Sequence, residues 1–537
     1  MFRRTLILFL LVIASCAAPS ASAPTVTPLP TQLVLPTLPP VGATILPSDR
    51  GNARPTLAAS DEAQAATPSP TNIPIPTPSA SGFEYALRPQ FAGDLDREVN
   101  ETIYTMNWDF NADLSEIKAT QRVIFANRTG KSLEQVYFRL FANYPDSAAS
   151  IQIESVTLRG GQRVQTALEA DETALRVELD RPLAPDELLI LRLAYTVQIP
   201  ADNPVRYGDF TRTDWITTLP TIYPILPAYD AQGWHLEVPP PYGDLVYADS
   251  SIYDVTITTP SQFNVIASGQ LVQETTQGAR TTRHFIGAPM RDFDVNVTNA
   301  LTKTSAQVDD VTINSYYLPA HAEQGKRALD WTVNAFKVFE DRFGAYPFKE
   351  LDLVETPTSA GGIEYPGVIT VASKLYEDPA QLNFFEFATV HETAHQWFYS
   401  TVGNDQVNHP WLDEALTQYA SLVYFEDRYG KAAARNIQEN FFDAQYAAAK
   451  DKFGDRPAGL PVSAYDEDAY GAFVYAKGPK FFQAVRDQIG GDAFFSALRT
   501  YYRDFKFRIA QPQDLIKAFN KASGQDVTAL FQKWIGG

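Results

Sequence analysis

Between Phe83 and Leu301 apolar and polar residues alternate in short runs, TIYTMNWDF, IKATQRVIFAN, QVYFRLFA, LLILRLAYTVQI, YDVTITTP, FNVIASG and TTRHFIGA, parted by Asn, Gly, Asp and Pro. Alternation of this kind is the pattern of a half-buried strand, and no helical spacing interrupts it, so residues 83–301 predict an antiparallel β domain. From Thr302 the period lengthens. Leu329, Val333, Phe336, Phe339 and Phe343 recur near helical spacing in HAEQGKRALDWTVNAFKVFEDRFG, which ends in glycine and predicts an amphipathic helix. KAAARNIQENFFDAQYAAAKDKF and the stretches after Gly471 are helical in pattern as well. Residues 302–537 therefore predict a second, mainly α domain, and the chain an α+β multidomain fold.

The first 82 residues follow neither period. Arg3 and Arg4 precede an apolar run, Leu6 to Ala14, that is too short to span a bilayer and predicts a secretory signal peptide over residues 1–15. Residues 16–82 are mostly Pro, Thr, Ser and Ala, the composition of a disordered spacer that proline stiffens toward an extended form. The run ends in IASC, which resembles the lipobox of bacterial lipoproteins, and Cys16 is the one cysteine of the chain. A disulfide within the chain is thereby excluded. The resemblance implies lipid on Cys16, a membrane partner and a place outside the cytoplasm at the cell envelope.

A hydrophobic content of 45% supplies ample core for two domains, and a net charge of −19 argues against nucleic acid as a partner. No feature of the pattern sets an oligomeric state. The chemistry concentrates in VHETAHQWFYSTVGNDQVNHPWLDEALTQY, residues 390–419. A helix over Phe384 to Tyr399 places His391 and His395 one turn apart on one face, where both imidazoles reach one ion. Glu392 is rotated off that face, free to act as general base toward water. A catalytic zinc takes three protein ligands, and Glu414, nineteen residues after His395 on a second helix, is the candidate for the third. His235 and His284 are expected at the surface or in turns.

HETAHQWF followed by PWLDEA resembles the gluzincin aminopeptidases of the aminopeptidase N family, in which a glutamate ligand follows the HExxH helix at this distance. Asp413 departs from the Asn common before that glutamate. The resemblance implies a thermolysin-like catalytic domain, one zinc per chain held by His391, His395 and Glu414, and peptide substrates. AGGIEYPGVITV stands where the family keeps its G-x-M-E-N loop, with Ile363 and Tyr365 in place of Met and Asn. Glu364 is then implied to bind a substrate ammonium group. Gly361 and Gly362 let a peptide backbone come close, and VITV is expected as an edge strand on which substrate could pair. Tyr475 in YAKG resembles the family tyrosine that supports the tetrahedral intermediate, with Tyr470 the lesser alternative. The β region offers no clear counterpart to the family's second amine-binding residue. That gap keeps open a zinc endopeptidase on the same scaffold, and a lipid-tethered peptide-binding protein without catalysis is the alternative from another class. Glu392 and Tyr475 speak against the latter, since a binding module needs neither.

Overall fold

The computed structural model describes residues 82–95, 102–145, 147–201 and 210–536. The expected signal peptide, Cys16 and all of the spacer but Gly82 lie outside these residues. Seven strands form the main sheet of the first half, in the order Gln270–Gln277, Arg280–Met290, Ser251–Pro260, Ile103–Phe110, Glu116–Ala126, Leu188–Gln198 and Ser150–Leu158. Along Glu116–Ala126 the residues Ile117, Ala119, Gln121 and Val123 are buried, whereas Lys118, Thr120 and Arg122 are exposed, the alternation that a sheet with one solvated face imposes. The pairing is antiparallel with one exception. Ile103–Phe110 runs parallel to Ser251–Pro260, which corrects the wholly antiparallel expectation. The intervening chain supplies three further strands of this sheet and two smaller sheets before Ser251–Pro260, and a connection of that length permits the parallel register that a hairpin forbids.

Tyr104 stacks on Tyr253 at 5.2 Å inside this half, and Trp108 Nε1 donates to Tyr195 Oη at 3.1 Å. His284 pairs with Asp254 of the neighbouring strand at 2.6 Å. His235 is no surface residue. Its ring is largely buried between Glu237 at 3.0 Å and Asp230 at 2.9 Å, and these carboxylates raise it to about 9 against the opposing effect of burial.

Thr302–Val308 opens a separate five-stranded sheet, in the order Thr302–Val308, Val311–Tyr317, Glu350–Thr356, Val368–Ala372 and Gly362–Ile363. The helix Ala322–Phe343 links the parallel strands Val311–Tyr317 and Glu350–Thr356, as a parallel pair requires a crossover. Leu329, Phe336, Phe339 and Phe343 are buried on its inner face, and the rings of Phe336 and Phe339 each lie 5.6 Å from Trp397. VITV is not an edge. Gly362–Ile363 folds back antiparallel onto Val371 and Thr370 and takes the outermost place itself.

The histidine helix runs Leu382–Ala394 and stops at His395, short of the expected Tyr399. No Gly or Pro ends it, so the cause is tertiary. Ser400 N donates to His395 O (3.0 Å), Val402 N to Trp397 O (3.0 Å) and Thr401 Oγ1 to Gln396 O (2.7 Å), which satisfies carbonyls that the helix leaves open. Tyr399 adopts a left-handed φ of 130° at the centre of this turn. Arg291 of the β half, fully buried, holds the turn in place by donating to Tyr399 O (3.0 Å), Ala248 O (2.7 Å) and Arg508 O (3.3 Å). Gly403 leaves room for the guanidinium, which any Cβ there would overlap.

Candidate active site

His391 and His395 project from the last turn of their helix with Nε2 atoms 3.1 Å apart. Glu414 opens the helix Glu414–Tyr429, where an acidic side chain is favoured by the amide dipoles, and its Oε2 lies 3.2 Å from His391 Nε2 and 3.5 Å from His395 Nε2. Four-coordinate zinc with arms of 2.0–2.1 Å has ligand atoms about 3.3 Å from one another. The three observed separations bracket that value. His395 Nδ1 faces Phe398 O at 2.9 Å and Thr417 Oγ1 at 3.3 Å, so the proton sits on Nδ1 and the Nε2 lone pair points at the trio. Two imidazoles aimed at each other and at one carboxylate, all buried, form a donor set that a divalent cation satisfies.

The surrounding contacts hold this trio. Asp413 caps the Glu414 helix by accepting from Glu414 N at 2.9 Å, and it accepts also from Asn404 Nδ2 (3.0 Å) and Gln406 Nε2 (2.9 Å). Three donors face its two oxygens, which is the physical sense of Asp at this position. Burial, with Glu414 beside it, pushes Asp413 up to about 7. Gln406 Nε2 reaches Glu364 Oε1 as well, at 3.3 Å, and so ties the cap to the glycine loop. Gln396, the residue after His395, clasps that loop: Gly367 N donates to its Oε1 (2.9 Å) and its Nε2 donates to Tyr365 O (3.1 Å).

A cavity of about 180 Å³ opens over the trio, lined by Gly362, Glu364, Glu392, Tyr475 and, from the β half, Asp244. Glu392 is buried and lies against the loop strand. A Cβ on Gly362 would overlap the Glu392 side chain, 2.7 Å from its Cδ, whereas one on Gly361 would make an ordinary contact of 3.5 Å with Phe384. Of the two glycines, Gly362 is the one a close approach requires, and what approaches it is Glu392 on one side and the backbone oxygen of Thr370, 2.5 Å from such a Cβ, on the other. Burial, together with the Glu364 carboxylate, raises Glu392 well above the usual carboxylate range. Glu364 is raised by burial, offset by His395 and reinforced by Glu414.

Tyr475 sits on a π-helical turn, Gly471–Lys477, its ring 6.2 Å from that of His391. Gly478 N donates to Phe473 O at 3.0 Å in the wide i to i−5 pattern. A Cβ on Gly478 would overlap that of Ala415, so the turn rests directly on the helix that carries Glu414. Buried Lys477 fixes its far side through Asp455 (2.7 Å) and Arg456 O (2.6 Å). Tyr470 packs edge-on against Tyr475 at 5.5 Å and is not among the residues that line the cavity.

The sequence reading missed Asp244. Carboxylate oxygens of Asp244, Glu364 and Glu414 lie within 4.8 Å of one another, and burial with these neighbours raises Asp244 well above its ordinary value. Its signal was an acid in PPPYGDLVY, a loop without any period, far along the chain from the histidines. Gln396 and Gln406 were missed because an amide that clasps backbone carries no spacing signature.

A buried two-histidine, one-glutamate cluster with a further glutamate beside it is a donor set able to hold a divalent metal ion. Residues 327–534 match the Peptidase family M1 domain. Aminopeptidase M1-C of Oryza sativa subsp. japonica is 26% identical over 300 residues, which cover 52% of this chain and 34% of that protein. Aminopeptidase 2 of Candida albicans is 28% identical over 237 residues, covering 42% of this chain and 25% of that protein. The chain thus spans about a third or less of the length of these curated relatives. An M1 zinc metallopeptidase from Deinococcus radiodurans has the same fold, with a TM-score of 0.61 at 19% identity over 81% of this chain and 94% of that one.

Proposed function

We propose that this protein is a zinc-dependent aminopeptidase that removes N-terminal residues from peptides. The observation that carries the reading is one cavity lined by His391 and Glu414 of the trio, by Glu392 and by the carboxylates of Glu364 and Asp244, with His395 grouped with His391 and Glu414 as a potential ligand set. Zinc, when bound by the trio, supplies a Lewis acid that polarises a carbonyl and makes water acidic. Glu392 accepts the proton of the attacking water and returns it to the amine that leaves as the peptide bond breaks. The Tyr475 hydroxyl donates to the carbonyl oxygen as negative charge develops there. Glu364 and Asp244 hold the substrate ammonium group, and the outer edge of Gly362–Ile363 takes the peptide backbone by strand addition. With a second acid from the β half, the argument for an endopeptidase from a lone amine anchor loses its ground, and the catalytic complement leaves a purely binding role without support.

The test is a panel of free and N-acetylated aminoacyl substrates, with and without a chelator. A buried ammonium to carboxylate pair costs roughly 2 to 5 kcal/mol when one partner is removed. Blocking the amine, or Glu364→Ala, is expected to lower kcat/KM about thirtyfold or more. An acetylated substrate has no ammonium group for Glu364 to meet, so wild type and Glu364→Ala should cut it about equally. Equal cleavage of free and acetylated peptides by the wild type would overturn the amine-anchor reading.

The glycine loop gives a second expectation. Gly362→Ala forces Glu392 from its place and should lower kcat/KM by at least about tenfold, whereas Gly361→Ala stays within about twofold. Equal losses in both variants would contradict the contact between Gly362 and Glu392.

We propose further that residues 1–15 are a signal peptide, that residues 16–82 are a lipid-anchored spacer ahead of domains at 83–301 and 302–537, and that Cys16 carries the lipid outside the cytoplasm. The support is the lipobox-like IASC after a short apolar run. Among the described residues no helix is long and apolar enough to cross a membrane. Wild type should partition with membranes in its native host and Cys16→Ser should not. A freely soluble, unmodified wild-type protein would refute lipidation.

A further inference from the structure

His395 takes its setting from the turn that follows its own helix. Its Nδ1 donates to Phe398 O at 2.9 Å, with Thr417 Oγ1 farther off at 3.3 Å. The Phe398 carbonyl lies in one peptide plane with Tyr399 N, which donates to Val402 O at 2.9 Å. Where that plane points therefore depends on the φ of Tyr399. This angle is 130°, a conformation that a bulky residue keeps only where its surroundings impose it. Much of that imposition comes from the β half. Arg291 and Asp292 directly follow the strand Arg280–Met290 and are both fully buried. Arg291 donates to Tyr399 O at 3.0 Å, and Asp292 accepts from the Tyr399 hydroxyl. The Arg291 guanidinium reaches Ala248 O and Arg508 O as well. Gly403, which leaves room for it, donates to Arg508 O (2.9 Å) and accepts from Ala510 N (2.7 Å).

We infer that Arg291 and Asp292 are positioning residues for the metal: by fixing Tyr399 they keep Phe398 O against His395 Nδ1, and so set how tightly the trio retains zinc. The inference rests on the zinc reading of the trio above. An imidazole presents the Nε2 lone pair only while its proton stays on Nδ1, and an acceptor for that proton selects the tautomer and fixes the rotation of the ring. If Tyr399 relaxes to a negative φ, the peptide plane turns and the acceptor leaves the ring. Tyr399 is held twice against that motion, its backbone by Arg291 and its side chain by Asp292. Lysine cannot take the place of Arg291, since one ammonium does not span the carbonyls of Ala248, Tyr399 and Arg508 as a planar fork does. A residue pair of the β half thereby governs a ligand of the helical half.

The experiment is the zinc dissociation constant of the full-length protein, measured by competition with a chelator. The measurement is made well below the Tm of the zinc-free form, where the protein is folded and global stability adds nothing to the constant. Arg291→Lys should weaken zinc binding about tenfold or more, the loss typical when a partner that orients a ligand is removed. Tyr399→Phe keeps the ring and the backbone and deletes only the bond to Asp292, and it should weaken binding about threefold or more. Arg88→Lys is the control. Arg88 is buried too and ties distant stretches together through Glu340 (2.6 Å) and Tyr346 O (2.9 Å), neither of which belongs to the Tyr399 turn. That control should lower the Tm of the zinc-free protein and leave the constant unchanged. Wild-type affinity in both Arg291→Lys and Tyr399→Phe, or an equal loss in Arg88→Lys, would overturn the inference and leave the zinc reading standing. A wild-type protein that holds no zinc would overturn that reading and the inference together.

Discussion

Glu392→Gln is expected to bind as much zinc as the wild type and to lose about a hundredfold to ten-thousandfold in kcat. The amide keeps the shape of the carboxylate, so the fit against Gly362 and the buried surroundings are preserved. What it removes is a group that can accept a proton from water and release it to the departing amine. The His391, His395 and Glu414 trio, whose atoms stand at zinc-ligand separations, is intact in this variant, so the metal is expected to stay. Elemental analysis of the purified variant beside its turnover number separates the two roles. His391, His395 or Glu414 changed to Ala supplies the contrast, with metal and activity lost together. Near-normal turnover by Glu392→Gln would sink the general-base assignment.

Tyr475→Phe is expected to lower kcat about a hundredfold with little change in KM, the loss typical of a single donor to a developing oxyanion. The ring remains and still packs against Tyr470, so ground-state contacts persist and only the hydroxyl is missing. Tyr470→Phe should stay near wild type, because Tyr470 does not line the cavity. Steady-state kinetics on one free aminoacyl substrate decides between them. A crippled Tyr470→Phe beside a normal Tyr475→Phe would reverse the roles.

These residues were legible in the sequence for different reasons. His391, Glu392 and His395 lie within one helical turn, where spacing alone dictates which side chains share a face, and helix geometry is local. The alternating strands and the buried stripe of Ala322–Phe343 were legible on the same ground. Glu414, Glu364 and Tyr475 were found through the resemblance of their flanking residues, since no periodicity links positions so far apart in the chain. Where that reasoning was carried past local geometry it erred. The histidine helix was extended to Tyr399, and VITV was given the sheet edge that Gly362–Ile363 occupies.

By itself, then, the sequence determined the two textures of the chain, the face shared by the two histidines and the glutamate turned off that face, because each depends on residues a few positions apart. The tertiary structure decided what crosses from one half to the other. Arg291 holds the turn that ends the histidine helix by donating to Tyr399 O, more than a hundred residues away, and Asp244 enters the cavity from a loop with no pattern of its own. Gln396 and Gln406 bind the glycine loop and the Asp413 cap into one network. The reason is physical. A buried polar group must find its partner wherever the folded chain brings one, and that demand is met in space without leaving a period in the sequence.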